Sequence, residues 1–375
     1  MKTNFKEFSQ EKITQFITIL GQKPYRAKQI INWIYKKLAS SFDEMTDLPV
    51  KFRKELNESA VLSNLKLLQT QISTDGTHKF LFQLEDGEAI ESVLIPNTRG
   101  ENKFTLCISS QVGCALGCVF CLTGKLGLKR NLRAYEIVDQ VITVSRILSI
   151  SPQPLLIPPL EKGDIEGSKR GIKGGHITNI VFMGMGEPLN NFNEVAEALG
   201  RITKLMDFSK RRITVSTAGI IPNIYKLADK FPDINLAISL NATTDETRNK
   251  IMPVNKKYPL RELLKACKEF PLTARRHITF EYVLLDEIND TNEDALRLVK
   301  LLRGIRSKVN LIPYNPAPVQ EIIQSYRQPS GNKILEFQNI LHKAGITAII
   351  RKSMGADISA ACGQLKASYS IKNEQ

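Results

Sequence analysis

Cysteine and histidine are scarce in this chain, with six and four in 375 residues. Six cysteines over that length make no disulfide framework of the kind small secreted domains need. The histidines His78, His176, His277 and His342 stand in no paired spacing, and no second Cys-x2-Cys pair accompanies Cys118 and Cys121. The ligands that close a structural zinc site are therefore missing. No run of eighteen apolar residues occurs, so no transmembrane helix is expected. Residues 1–12 are polar and charged and lack the apolar stretch of a secretory signal, so a cytoplasmic protein with no membrane contact is expected. Aromatics are few at 7%, which argues against a stacking platform for single-stranded nucleic acid.

Basic residues are not scarce. Fifty-two Lys and Arg against 38 Asp and Glu give a net charge of +14. Such a surface attracts a polyanion, and a folded RNA held through its phosphates suits it better than an unstacked strand. The length is enough for one large barrel plus a smaller domain.

The most informative residues are Cys114-Ala-Leu-Gly-Cys118-Val-Phe120-Cys121. Cysteine thiolates are the usual protein ligands of iron–sulfur clusters, and four saturate a [4Fe–4S] cube. Three thiolates on one loop leave the fourth iron open for a substrate or cofactor. A ferredoxin would carry a fourth cysteine close by, but none follows Cys121 until Cys267.

Periodicity divides the chain. Residues 1–95 read as a small α+β unit. One helix carries Ala27, Ile30, Ile31, Ile34 and Leu38 on one face, with Arg26, Lys28, Lys36 and Lys37 outside it. A second, near 49–57, adds Lys51, Arg53 and Lys54. Strands are expected at 66–73, 78–84 and 89–95. The charged face is solvated and also offers an RNA-docking surface. From about residue 100 strands alternate with helices: 104–108, 180–183, 213–215, 235–238, 277–284 and 309–312. Alternation of this kind predicts parallel βαβ units and a partial (βα)6 TIM-like barrel over 96–355. Its chemistry is expected at the C-terminal strand ends. Residues 151–176, rich in proline, glycine and lysine, predict a long loop. Residues 356–375 form a C-terminal segment.

The three-cysteine spacing resembles that of radical S-adenosylmethionine (SAM) enzymes. Further motifs are Ile90-Glu91-Ser-Val-Leu-Ile-Pro96, Cys107-Ile-Ser-Ser-Gln-Val-Gly-Cys114, Gly184-Met-Gly-Glu-Pro-Leu-Asn190, Leu311-Ile-Pro-Tyr-Asn-Pro316 and Ala360-Ala-Cys362-Gly-Gln-Leu365. Taken together, from Pro24 to about Gly363, the chain resembles the radical SAM adenine-C2 methyltransferases of 23S ribosomal RNA and, in some bacteria, transfer RNA. The resemblance implies a [4Fe–4S] cluster on Cys114, Cys118 and Cys121, and two SAM consumed per methyl. It also implies an electron donor such as a flavodoxin or ferredoxin system. Cys362 is implied to receive the methyl group from SAM as a thiolate nucleophile. Cys107 is implied to serve in proton removal from C2 and in a disulfide with Cys362 as product leaves. Glu91 is a rival proton acceptor, although a glutamate at a strand end is more often solvated or ion-paired. Met183 is implied to assist catalysis, against a plain reading as strand core. Gly186, Glu187, Ser216, Ser239, Leu240, Asn241 and Asn315 match SAM-binding positions, with Asn241 standing where the family often has histidine. Cys267 reads as core, and a monomer is the default.

Two other readings stand beside this one. The sister group that methylates C8 of the same adenine shares the cluster and both cysteines, but Val112 and Pro188 look more like the C2 enzymes. A non-catalytic iron–sulfur or zinc RNA-binding protein leaves Gly184–Glu187 and the Cys107/Cys362 pair without a purpose.

Overall fold

The computed structural model describes residues 2–97, 102–150, 175–316 and 326–365. The chain opens with a two-residue strand β1 (Thr3–Asn4), then α1 (Gln10–Ile19), α2 (Tyr25–Tyr35) and α3 (Val50–Ser59), and closes this unit with β2 (Ala60–Val61) parallel to β1. Ser9 caps α1 by accepting from the Lys12 amide, satisfying one of the free donors of a helix start. Helix α2 buries Ala27, Ile30, Ile31 and Ile34, the apolar stripe of its sequence.

Next come β3 (Lys66–Ile72), β4 (His78–Gln83), β5 (Ala89–Pro96) and β6 (Lys103–Cys107), each antiparallel to the last. A short hairpin, β7 (Gln111–Gly113) with β8 (Leu128–Asn131), brackets α4 (Leu122–Lys125). After α5 (Ala134–Ile150) the chain alternates β9 (His176–Phe182), α6 (Phe192–Lys204), β10 (Ile213–Thr217), α7 (Ile221–Lys230) and β11 (Asn235–Ser239). Then follow α8 (Asp245–Ile251), α9 (Leu260–Glu269), β12 (Ile278–Leu284), α10 (Asn292–Leu301), β13 (Ser307–Pro313), α11 (Gly331–Lys343) and β14 (Thr347–Ile350). Of the proline- and glycine-rich stretch at 151–176, residues 151–174 lie outside the described residues, and His176 opens β9.

One ten-stranded sheet runs β14-β13-β12-β11-β10-β9-β6-β5-β4-β3. From β6 through β9 to β14 every neighbour is parallel, as βαβ crossovers require. The strand order is linear, so the barrel stays open. Two features differ from the sequence expectation. Strand β14 adds a parallel strand beyond the six anticipated, because its four residues are too short for a periodic signal. The boundary placed at 95 falls inside the sheet, because β5 pairs with β6 across it. Antiparallel pairing of distant segments leaves no local mark in composition.

The core lies between this sheet and its helices. Val195, Ala198, Leu199 and Ile202 of α6 are fully buried on one stripe, the spacing of an amphipathic helix. Charge joins the N-terminal helices to the barrel. Lys6 is 1% exposed and meets Asp139 of α5, and it also donates to Asn64 Oδ1 at 2.9 Å. Asp139 accepts the Leu65 amide at 2.8 Å, and Arg201 of α6 donates to the Lys6 carbonyl. Burial pushes the Lys6 ammonium below its usual range, and Asp139 opposes that shift. Removing one partner leaves a buried charge uncompensated. Lys6→Met is expected to cost about 3–5 kcal/mol, read as a lower denaturation midpoint in urea.

Candidate active site

The hairpin β7–β8 carries the cysteine loop. Gly113, at φ +77°, lets the chain turn back on itself, since a Cβ there would stand 1.9 Å from the Gly127 carbonyl oxygen. The Cys114 amide donates to that same oxygen at 2.9 Å, which sets the start of the loop. Its middle is fixed by Val119 N–H donating to Ile251 O at 3.1 Å. Its end is fixed by the C-terminal segment: Leu122 N–H donates to Gly363 O at 2.8 Å and Thr123 Oγ1 to Leu365 O at 2.7 Å.

Cys114, Cys118 and Cys121 line one cavity of about 180 Å³ at the C-terminal ends of the strands. Burial pushes all three thiols up, Cys114 to about 12, and each is raised further by at least one of the others or raises one itself. Among the described residues no three His, Cys, Asp or Glu side chains converge tightly enough for a single ion. Three thiols from one loop lining one cavity suit three corners of a [4Fe–4S] cube, with the fourth iron left open.

The same cavity is lined by Met183, Gly186, Glu187, Ser216, Ser239, Asn241, Asn315 and Cys362. Glu187 is 4% exposed. Its Oε1 accepts the Leu189 amide at 3.0 Å and its Oε2 the Ala218 amide at 2.8 Å. Burial raises its carboxyl above the usual range and those amides resist the rise. Its own amide donates to Gln111 Oε1 at 2.8 Å. That contact needs Gly186, at φ +98°, whose Cβ would fall 2.5 Å from the Gln111 side chain. A carboxylate fixed in this way beside three thiols can receive the ammonium of an amino acid moiety.

Comparison with known proteins bears on this arrangement. The model of the ribosomal RNA large subunit methyltransferase N-terminal domain matches residues 3–62, and that of the radical SAM superfamily matches 108–299. The dual-specificity RNA methyltransferase RlmN of Syntrophotalea carbinolica is 45% identical over 99% of this chain and 91% of its own length. The protein of the same name from Geobacter sulfurreducens is 48% identical over 97% and 92%. A crystal structure of a radical SAM methyltransferase from Sphaerobacter thermophilus superposes with a TM-score of 0.85 at 39% identity, over 98% of this chain and 100% of that one.

The chain belongs to the radical SAM dual-specificity RNA methyltransferase family. Its cofactors are a [4Fe–4S] cluster and SAM.

Three residues singled out by sequence lie off the cavity wall. Leu240 is buried in the core, and its carbonyl accepts from Arg248 Nε at 2.9 Å. Cys107 closes β6, is 7% exposed, and receives a backbone hydrogen bond from Met183. Burial raises its thiol, and Cys362 is the charge that raises it next most, so the two cysteines are electrostatic neighbours. Both are free thiols. Glu91 is 6% exposed and pairs with Lys79, whose Nζ lies 3.3 Å from Oε1. Lys79 also donates to Ser359 O at 3.3 Å, which ties Glu91 to the segment carrying Cys362. Glu91 and Cys107 share a face of the sheet, since Val93, two residues on from Glu91, pairs with Cys107. Asn241 adopts φ +56°, which asparagine tolerates better than most residues. Its side chain accepts the Val283 amide at 2.8 Å and donates to Met252 Sδ, so it joins β11 to β12.

Glu281 escaped the sequence reading. It lines the cavity from β12, accepts from Asn310 Nδ2 at 2.9 Å, and is the charge that most raises Cys362. A lone carboxylate inside the apolar run Ile278–Leu284 was the available signal. Cys362 is open to solvent but walled by protein on its other sides. Burial first, and Glu281 second, push its thiol up to about 11, while Arg351 pulls it down. Below that pH the thiol is neutral. In iron-free protein, iodoacetamide labelling of Cys362 should therefore rise about tenfold per pH unit through the neutral range. Glu281→Gln should move that profile to lower pH. Peptide mass spectrometry reads both.

Proposed function

We propose that the chain methylates C2 of an adenine in 23S ribosomal RNA and of an adenine in transfer RNA, with Cys362 as the methyl carrier. The observation that carries this is the presence of Cys362 in the same cavity as Cys114, Cys118, Cys121 and Glu187. C2 of adenine lies between two ring nitrogens and is too electron-poor to attack the methyl of SAM, so a carrier and radical chemistry are both required. The cluster, held by Cys114, Cys118 and Cys121, supplies the electron that cleaves SAM.

The remaining work falls to the chain. Cys362, open to solvent, would give up its thiol proton to water, and its sulfur would attack the methyl carbon of SAM, so that the new S–CH3 bond forms as the sulfonium S–CH3 bond breaks and S-adenosylhomocysteine leaves. Glu187 receives the SAM ammonium. Ser216, Ser239, Asn241, Asn315 and the bare backbone at Gly186 shape the rest of the binding wall. Cys107, beside Cys362, is the resolving thiol that forms a disulfide with it as product leaves, and a reductant then restores both. Glu91 and Cys107, on one sheet face, are the candidates to take the C2 proton. Met183 packs against both the cavity and Cys107.

The RNA meets the N-terminal helices through the exposed Lys28 of α2, Lys36 and Lys37 just after it, and Lys51 and Lys54 of α3. Arg26 and Arg53 are engaged at the surface with the carbonyls of Asp47 and Asp43. The accessory unit proposed for docking is residues 1–95, with 96–355 as catalytic barrel and 356–375 as carrier segment. A flavodoxin- or ferredoxin-type donor, a cytoplasmic setting and a monomeric state complete the reading. None of the helices among the described residues is long and apolar enough to cross a membrane.

The test is nucleoside mass spectrometry after anaerobic reconstitution with iron, sulfide, SAM, a reductant and unmethylated 23S ribosomal RNA or transfer RNA. The expected product is 2-methyladenosine from either RNA, and none from Cys362→Ala. A product of 8-methyladenosine would move the chain to the sister group.

A further inference from the structure

The guanidinium of Arg248, on α8, is fully buried, yet every one of its hydrogen bonds ends on a neutral oxygen. Nε donates to Leu240 O at 2.9 Å, Nη1 to Asn255 Oδ1 at 2.9 Å, and Nη2 to Ala218 O at 2.7 Å and Ser239 O at 3.1 Å. The carboxylate of Asp245 reaches it only through Asn255, whose Nδ2 donates to Asp245 Oδ1 at 2.8 Å. A buried cation held by carbonyls alone is costly, because desolvation is not repaid by an adjacent anion. Burial accordingly lowers the Arg248 guanidinium to about 10.

A charge kept at that cost points to an anionic partner, and the structure supplies its position. Ala218 and Ser239, whose carbonyls Arg248 holds, line the cavity together with Cys118. The link is mechanical as well, because Ile251, at the end of α8, accepts the amide of Val119 in the cysteine loop.

We propose that Arg248 is the counter-charge of the iron–sulfur cluster, a positioning residue that raises the cluster's reduction potential while it holds the ends of β10 and β11. Three thiolates outweigh the charge of an oxidised cubane core, and reduction adds a further electron, so the site is anionic in both states. The buried Glu187 disfavours that added electron. A fixed cation behind Cys118, in a medium of low dielectric, favours it. Holding the carbonyls of Ala218 and Ser239 also fixes the strand ends that line the cavity proposed to receive SAM.

The inference rests on Cys114, Cys118 and Cys121 being the cluster ligands. The experiment is an anaerobic potentiometric titration of the reconstituted holoenzyme, followed by electron paramagnetic resonance of the reduced cluster, with iron content measured alongside. Neutral Arg248→Gln and Arg248→Met should show about a tenfold smaller reduced-to-oxidised ratio at a given potential, a shift of about 59 mV for one electron. Arg248→Lys, which keeps the charge but not the fork, should stay near the wild-type potential. Loaded neutral variants at the wild-type potential overturn the proposal. If the neutral variants take up no cluster, Arg248→Lys decides: loading by the lysine variant supports a role for charge, and its failure reduces Arg248 to a brace for carbonyls. If the wild-type chain itself binds no iron, it is the cysteine assignment that has failed.

Discussion

Everything the site does depends on a short contact between segments far apart in sequence. The amide of Leu122, just after the third loop cysteine, donates to the carbonyl of Gly363, just after Cys362. With Thr123 on Leu365, it sets Cys362 against the cysteine loop and closes a cavity lined by both segments. The open sheet allows this arrangement.

The contact is also weak in energetic terms. Each such hydrogen bond contributes about 1 kcal/mol net. The rest of the segment is held by Asp357 on Ser73 and Thr74, Asp75 on the Gly355 amide, Lys79 on Ser359, and Gln364 on Pro316. Ala360, Ala361 and Leu365 supply its buried apolar surface. A segment held by polar bonds and three modest side chains opens at far lower cost than the strands beneath it. That suits the carrier role proposed for Cys362, which calls for meeting SAM, then a bulky RNA, then a second thiol.

The grouping of the candidate site was legible in the sequence wherever it depends on local spacing. Cys114, Cys118 and Cys121 sit on one loop, Gly186 and Glu187 on one strand end, and the parallel strands repeat with their helices. What could not be read depends on contacts made at a distance. The hairpin β7–β8 is built from segments too short for a period, and its register rests on Gly113 meeting Gly127. The strands 66–72, 78–83 and 89–96 were visible, but not their pairing into the barrel sheet. Leu240 matched a cofactor position, yet its side chain is core and its carbonyl accepts from Arg248. Arg248 and Glu281 looked like ordinary charges until burial marked them out.

The central claim is that Cys362 carries the methyl group within the cluster cavity. Turnover with methyl-deuterated SAM, followed by proteolysis and peptide mass spectrometry, tests it most directly. The account predicts a deuterated methyl on the peptide containing Cys362 and none on those containing Cys107 or Cys267. Label on another cysteine, or transfer to RNA with Cys362 never labelled, would contradict it.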